Sequence, residues 1–269
     1  MSTNIEAPLL VETAGGICTI SLNRPDKLNA VDDAVHHGLE EALRQADQDP
    51  DVRVIILRGN GRAFCVGGDV KGFAEADRDE EQPSGSQRVL SVRQGRKILD
   101  AFLSTDKPIV AAVQGYAMGL GATLALFSDV VIAAEDAQFA DTHVNVGLVA
   151  GDGGAVIWPL LMPFSQAKYY LMTGERISGT EAERLGMVLR AVPAEELQDA
   201  ARSVAANIAA GAPQAVRGTK ATANLILRER MDLVLEHGLL LEGATFVSDD
   251  HLEASKAFVE KREPIFRDR

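Results

Sequence analysis

Apolar positions recur along this chain with two different periods, and the change from one to the other predicts its elements. Residues 9–13 and 17–22 are strand-like runs on either side of Gly15-Gly16, the composition of a tight β-hairpin. Val35, Leu39, Ala42, Leu43 and Ala46 fall on one face of a helix that Asp32 can cap. Residues 52–57 are rich in β-branched side chains, as in a strand buried on both faces. Strand, helix and strand in this order favour a parallel sheet covered by helices.

The most informative stretch is 108–134, an apolar strand, a turn crowded by Gly115, Gly119 and Gly121, a short apolar helix and a second apolar strand. Glycine there allows positive φ and close backbone approach. A helix opening beside such a turn points unpaired N–H groups at its neighbour, which suits an oxyanion. A second glycine turn, residues 63–69, follows the 52–57 strand, and Asp69 could begin a helix through Val70 and Phe73. Residues 75–87 are charged and then rich in Pro, Ser and Gly, as in a surface loop bordering a site. Residues 88–103 return to a helical pattern.

Further on, residues 166–173 read as a helix closed by Gly174, and Thr180 and Glu183 have capping-box spacing. Residues 195–210 form an amphipathic helix ending at Gly211, and Pro213 can open the next. Leucine-rich segments 225–227, 233–235 and 239–241 carry more apolar surface than isolated helices can hide. Such helices pack on the core or on a neighbouring subunit.

Composition narrows the function classes. The chain has 269 residues and a net charge of −12, with Lys and Arg scattered, so a nucleic-acid surface has little support. Cys18 and Cys65 sit in apolar settings without metal spacing and read as buried free thiols. No metal set is evident. No leader pattern opens the chain and no apolar run is long enough for a membrane span, so a cytoplasmic protein is the expectation.

Two glycine turns, each after a strand and before a helix, resemble the crotonase family, the enoyl-CoA hydratase/isomerase superfamily. The resemblance is carried by Asn23-Arg24-Pro25 with Leu28-Asn29-Ala30, by Phe64-Cys65-Val66-Gly67-Gly68-Asp69 and by Gly115-Tyr116-Ala117-Met118-Gly119-Leu120-Gly121. Ser128-Asp129 with Gln138-Phe139, Gly147-Leu148 with Gly153-Gly154, and residues 257–262 continue it in order. It implies an α/β fold, a spiral of repeated ββα units over residues 1–205, with a C-terminal helical trimerisation region over 206–269. It implies an acyl-CoA substrate, with coenzyme A as part of the thioester and no other tightly bound cofactor, and a homotrimer or a pair of trimers. The backbone N–H groups matching the family's oxyanion hole are those of Gly68 and Leu120; donors of this kind are pre-oriented for a developing enolate oxygen. Lys27, Leu28, Val66, Asp69, Phe258 and Lys261 match positions lining the coenzyme A site. Lys261 reads equally well as a solvated lysine at a helix end.

The resemblance breaks at the acids. Where a typical hydratase has two glutamates, this chain has Thr123 and His143. The Thr123 hydroxyl can meet water or substrate, or bond back into its own helix. An imidazole can take and return a proton near neutral pH. Asp152, just before an apolar helix, reads either as that helix's N-cap or as a partner of His143; Asp141 is also near. His36, His37, His237 and His251 read as solvated or interface residues. Leu120 and Trp158 are expected to shape an apolar acyl pocket. Three functions remain open: an enoyl-CoA hydratase-like lyase using His143, a retro-Claisen C–C hydrolase using His143 and Asp152, and a non-catalytic acyl-CoA-binding protein.

Overall fold

The computed structural model describes residues 7–68 and 85–267, with side chains from 95 onward in the second stretch. Asp69, the helix expected to begin there and most of the 75–87 loop lie outside the described residues.

β1 (Leu9–Ala14) and β2 (Ile17–Leu22) pair antiparallel, and Gly15 and Gly16 turn the chain with φ of 60° and 80°. α1 (Asp33–Gln48) starts at Asp32, whose side chain accepts from the Val35 N–H at 3.0 Å. It buries Val35, Leu39, Ala42, Leu43 and Ala46, the stripe its spacing predicts. β3 (Val54–Gly59) lies between β2 and β4 (Ile109–Val113), parallel to both. Every residue of β4 is buried, consistent with an apolar run covered on both faces. Between β3 and β4 runs α2 (Gly85–Ser104).

From β4 onward the chain steps between two sheets. β5 (Tyr116–Met118) enters a second sheet, α3 (Leu120–Leu126) follows, and β6 (Val130–Ala134) returns beside β4. β7 (Gln138–Ala140) pairs with β5, and α4 (Gly154–Leu161) and α5 (Phe164–Thr173) come next. β8 (Ile177–Ser178), α6 (Gly179–Leu185) and β9 (Arg190–Val192) complete the pattern. The large sheet has the order β1-β2-β3-β4-β6-β9 and the small one β5-β7-β8. Large-sheet strand, small-sheet strand, then helix thus repeats in β4-β5-α3 and β6-β7-α4, while in the last pass β8 and α6 come before β9. The cap of α6 is Ser178, which accepts from the Glu181 N–H at 3.1 Å, so the expected Thr180–Glu183 box is displaced by two residues.

α7 (Leu197–Ala209) contains the expected 205/206 domain boundary, with Ala205 fully buried, so the break in helical structure comes later, before Pro213. α8 (Pro213–Thr245) and α9 (Asp249–Glu260) follow. α8 is tied to the core by Lys220, whose Nζ lies 2.8 Å from Asp129 Oδ2 and donates to the Lys107 carbonyl at 2.9 Å. It buries Met231, Leu235, Gly238 and Leu239, while Leu225, Ile226, Leu233 and Leu240 stay exposed. One stripe therefore packs on the core and another remains uncovered. Among the described residues no helix is long and apolar enough to cross a membrane.

Candidate active site

The two glycine turns lie side by side because residues 64–66 run along β5. The Cys65 N–H donates to the Tyr116 carbonyl at 2.9 Å, and the Met118 N–H to the Cys65 carbonyl at 3.0 Å. Gly67 adopts φ 86°, and a Cβ there would sit 2.8 Å from the Met118 carbonyl oxygen and 3.4 Å from Leu120 N. The glycine is thus required both for its backbone angle and for the space beside the turn that carries Gly119. Gly119, at φ 50° and ψ −124°, bends the chain into α3. Leu120 is the first residue of that helix, so its N–H has no partner one turn back. Among the described residues, no loop or cap hydrogen bond takes up the N–H of Gly68 or Leu120.

His143 is brought against this turn by the opening of a short 3-10 segment, His143–Val146. A Cβ on Gly119 would lie 3.3 Å from the imidazole Cε1. On one side, His143 Nδ1 lies 2.6 Å from Asp141 Oδ1, and Asp141 is wholly buried. On the other, His143 Nε2 lies 3.2 Å from Asp152 Oδ2. Thr123, also wholly buried, donates its hydroxyl to Asp152 Oδ1 at 3.3 Å rather than serving only its own helix. Asp152 is not the N-cap of α4. That place belongs to Gly153, at φ 122° with no side-chain cap, and the Asp152 carboxylate points to His143 and Thr123 instead.

Electrostatics set the protonation states. Burial alone would push the His143 imidazole down, but the Asp152 and Asp141 carboxylates outweigh it and hold it well above its ordinary value. His143 is therefore an imidazolium at neutral pH. Glu242, from α8, brings Oε1 to 3.8 Å from His143 Nε2. Burial and then the neighbouring Asp152 push its carboxyl up to about 8. Asp141, His143 and Asp152 offer ligand atoms within 4.8 Å of one another. Asp141 meets the ring at Nδ1 and Asp152 at Nε2, so the two carboxylates lie at opposite edges of the imidazole, which can give only one nitrogen to any one metal ion.

The other expected positions are distributed differently. Lys27 ends a 3-10 turn, and Leu28 follows in the left-handed region at φ 52°. Their loop is held by buried Asn29, which donates to the Ala63 carbonyl at 2.8 Å, at the start of the turn that carries Gly67. Val66 is half-buried beside Gly67. Phe258 is 53% exposed near the end of α9, and Lys261 closes that helix at φ 54°; neither joins the cluster around His143. Leu120 keeps part of its side chain open, whereas Trp158 is fully buried and packs on Tyr170, so it does not line an open pocket. His251, expected as a solvated or interface residue, is buried within the subunit, with Nδ1 2.7 Å from the Val146 carbonyl oxygen. Glu242 was not singled out in the sequence. Its signal is an acid on the same helical face as Leu235, Gly238 and Leu239.

An enoyl-CoA hydratase/isomerase family model matches residues 12–269. The (E)-benzylidenesuccinyl-CoA hydratase of Thauera aromatica is 37% identical over 265 residues, covering 97% of this chain and 99% of that protein. The carnitinyl-CoA dehydratase of Proteus mirabilis is 36% identical, over 97% and 98% of the two chains. The crystal structure of an enoyl-CoA hydratase/isomerase from Mycobacterium paratuberculosis matches with a TM-score of 0.85 at 36% identity, over 94% of this chain and 99% of that one.

Proposed function

The chain belongs to the enoyl-CoA hydratase/isomerase family, and we propose that it is an acyl-CoA hydratase or dehydratase in which His143 and Asp152 move the protons. The observation that carries this reading is the 3.2 Å contact between His143 Nε2 and Asp152 Oδ2, placed against the Gly119–Leu120 turn. An imidazolium and a carboxylate in contact supply an acid and a base from one unit. Relatives that act on acyl-CoA thioesters as hydratase and dehydratase support the substrate class.

In the hydration direction, Asp152 accepts a proton from water as the water oxygen bonds to Cβ of an α,β-unsaturated thioester. The π electrons move to the thioester oxygen, where the N–H groups of Gly68 and Leu120 stabilise the enolate. His143 then gives its proton to Cα, and the proton on Asp152 returns to His143 across their contact. Asp141 keeps the ring oriented throughout from its 2.6 Å hydrogen bond. Dehydration is the same sequence reversed. Coenzyme A enters only as part of the substrate, along Lys27, Leu28 and Val66, with Phe258 and Lys261 contributing from their own or a neighbouring subunit of a trimer.

The test is turnover of a panel of enoyl- and 3-hydroxyacyl-CoA thioesters by the wild type, His143→Ala and Asp152→Asn. Loss of turnover in both variants supports the reading. A second reading is favoured by the tight Asp141–His143 hydrogen bond, because an oriented imidazole also suits attack of water on a β-keto carbon. In that retro-Claisen hydrolysis the C–C bond breaks and the leaving enolate occupies the same two donors. Oxygen from labelled water would then appear in a new carboxylate rather than in a 3-hydroxyl group. Thioester binding with no turnover on either panel, unchanged by His143→Ala, would leave only an acyl-CoA-binding role.

A further inference from the structure

Beside the reacting pair stands a third acid that the scheme above does not use. Glu242 is 8% exposed, its Oε1 lies 3.8 Å from His143 Nε2, and its Oε2 is buried without a partner among the described residues. A backbone contact brings it there. A Cβ on Gly238 would lie 3.0 Å from the Gly151 carbonyl oxygen, and a Cβ on Gly151 would lie 2.8 Å from the side-chain Cβ of Glu242. Glycine at both positions lets α8 run directly against the loop that carries Asp152, and Glu242 follows Gly238 by one turn on the same face.

The charge count assigns its state. One cation, His143, faces three buried carboxyl groups, and Asp141 and Asp152 hold the two shorter contacts with it. A third ionised carboxylate would be desolvated and poorly compensated, so the acid at the longest separation keeps its proton. We propose that Glu242 is a positioning acid for the His143–Asp152 pair: it stays protonated while the reaction runs, and its ionisation slows turnover by adding a third carboxylate at 3.8 Å that holds the His143 proton back from the substrate. This inference rests on the reading of His143 and Asp152 as the reacting pair. The charged groups acting on Glu242 are Asp152, His143 and Asp141. On the packed α2, Arg96 is engaged by Asp100, Asp232 and Glu236, and on α9 the His251 ring is turned to the Val146 carbonyl.

The experiment is the pH profile of kcat/KM for the wild type and Glu242→Gln, each normalised to its own maximum, with Asp152→Asn alongside. The Glu242 carboxyl is pushed up to about 8, so wild-type activity should fall about tenfold per pH unit above that point. In Glu242→Gln this limb should move to higher pH, where loss of the His143 proton sets it. An unchanged alkaline limb overturns the proposal. Should the variant fold poorly, carbon-13 NMR of the wild type labelled at glutamate carboxyls gives the same answer without substrate. One glutamate should titrate near 8, and if all titrate in the ordinary carboxylate range the proposal is wrong. If Asp152→Asn retains full turnover while a glutamate does titrate high, the reaction scheme fails and the protonated state of Glu242 stands.

Discussion

Asp152→Asn is the sharpest test of the site because it removes one charge and little else. At 3.2 Å, the attraction between imidazolium and carboxylate is worth about 5 kcal/mol for an effective dielectric constant near 20. Asparagine keeps the shape and a carbonyl oxygen that can still accept from the Thr123 hydroxyl. The water, however, loses its proton acceptor, and His143 is left with Asp141 as its close carboxylate. General acid–base groups typically contribute about 10²–10⁴ in rate, which at about 1.4 kcal/mol per tenfold is of the same order as the lost attraction. We therefore expect kcat to fall by about 10²–10⁴ with KM changed by less than about threefold, the pattern of an interaction made in the transition state. The assay is the loss of conjugated enoyl-thioester absorbance, with thermal unfolding run in parallel to show that the fold is retained. A folded variant whose kcat stays within about threefold of wild type, on a substrate the wild type turns over, would remove Asp152 from the chemistry.

Gly119→Ala should lower stability by about 1–3 kcal/mol, because φ 50° with ψ −124° is a glycine conformation. It should also lower kcat by about 10²-fold, because the new methyl meets the His143 ring; unfolding curves and kinetics on the same preparation check both. Asp141→Asn should make His143 easier to deprotonate, since one of the two carboxylates that hold its proton is gone. The imidazole titration followed by proton NMR should therefore move to lower pH. For the wild type, a raised folded-state value means that the stabilisation from charged His143 is present below the unfolded value, near 6.5. It is lost as pH rises through the folded value, and unfolding measured against pH should show this falling arm weakened in Asp141→Asn. Leu233→Asp, on the uncovered stripe of α8 where Leu233 is 68% exposed, should dissociate an oligomer while leaving subunit helicity unchanged, as read by sedimentation and circular dichroism.

The elements that local chemistry determines were legible in the chain. The α1 stripe and its Asp32 cap need only neighbouring residues, and the β1–β2 hairpin needs only its glycine pair. The two glycine turns were legible for a related reason, because an apolar strand followed by crowded glycines leaves few other backbone solutions. Asp152 shows where local reasoning stops. An aspartate followed by Gly-Gly and an apolar helix has the pattern of a cap as well as of a partner for His143, and nothing local chooses between the two; in the fold His143 and Thr123 take its carboxylate. The cap position passes to Gly153, which alone tolerates φ 122° there. Glu242 was out of reach for the same reason in stronger form, since its approach depends on two glycine backbones meeting between α8 and the 150–152 loop. His251 and Trp158 differ from expectation through burial, which tertiary packing determines and a short window of sequence does not contain.

The meeting of Gly151 with Gly238 has a temporal implication. During synthesis the core strands, both donor turns, His143 and Asp152 are all made before α8, so the reacting pair exists in the chain before the acid beside it. Activity with the full pH response of the mature enzyme should thus emerge only after the final quarter of the polypeptide has docked, making catalysis a late reporter of completed folding.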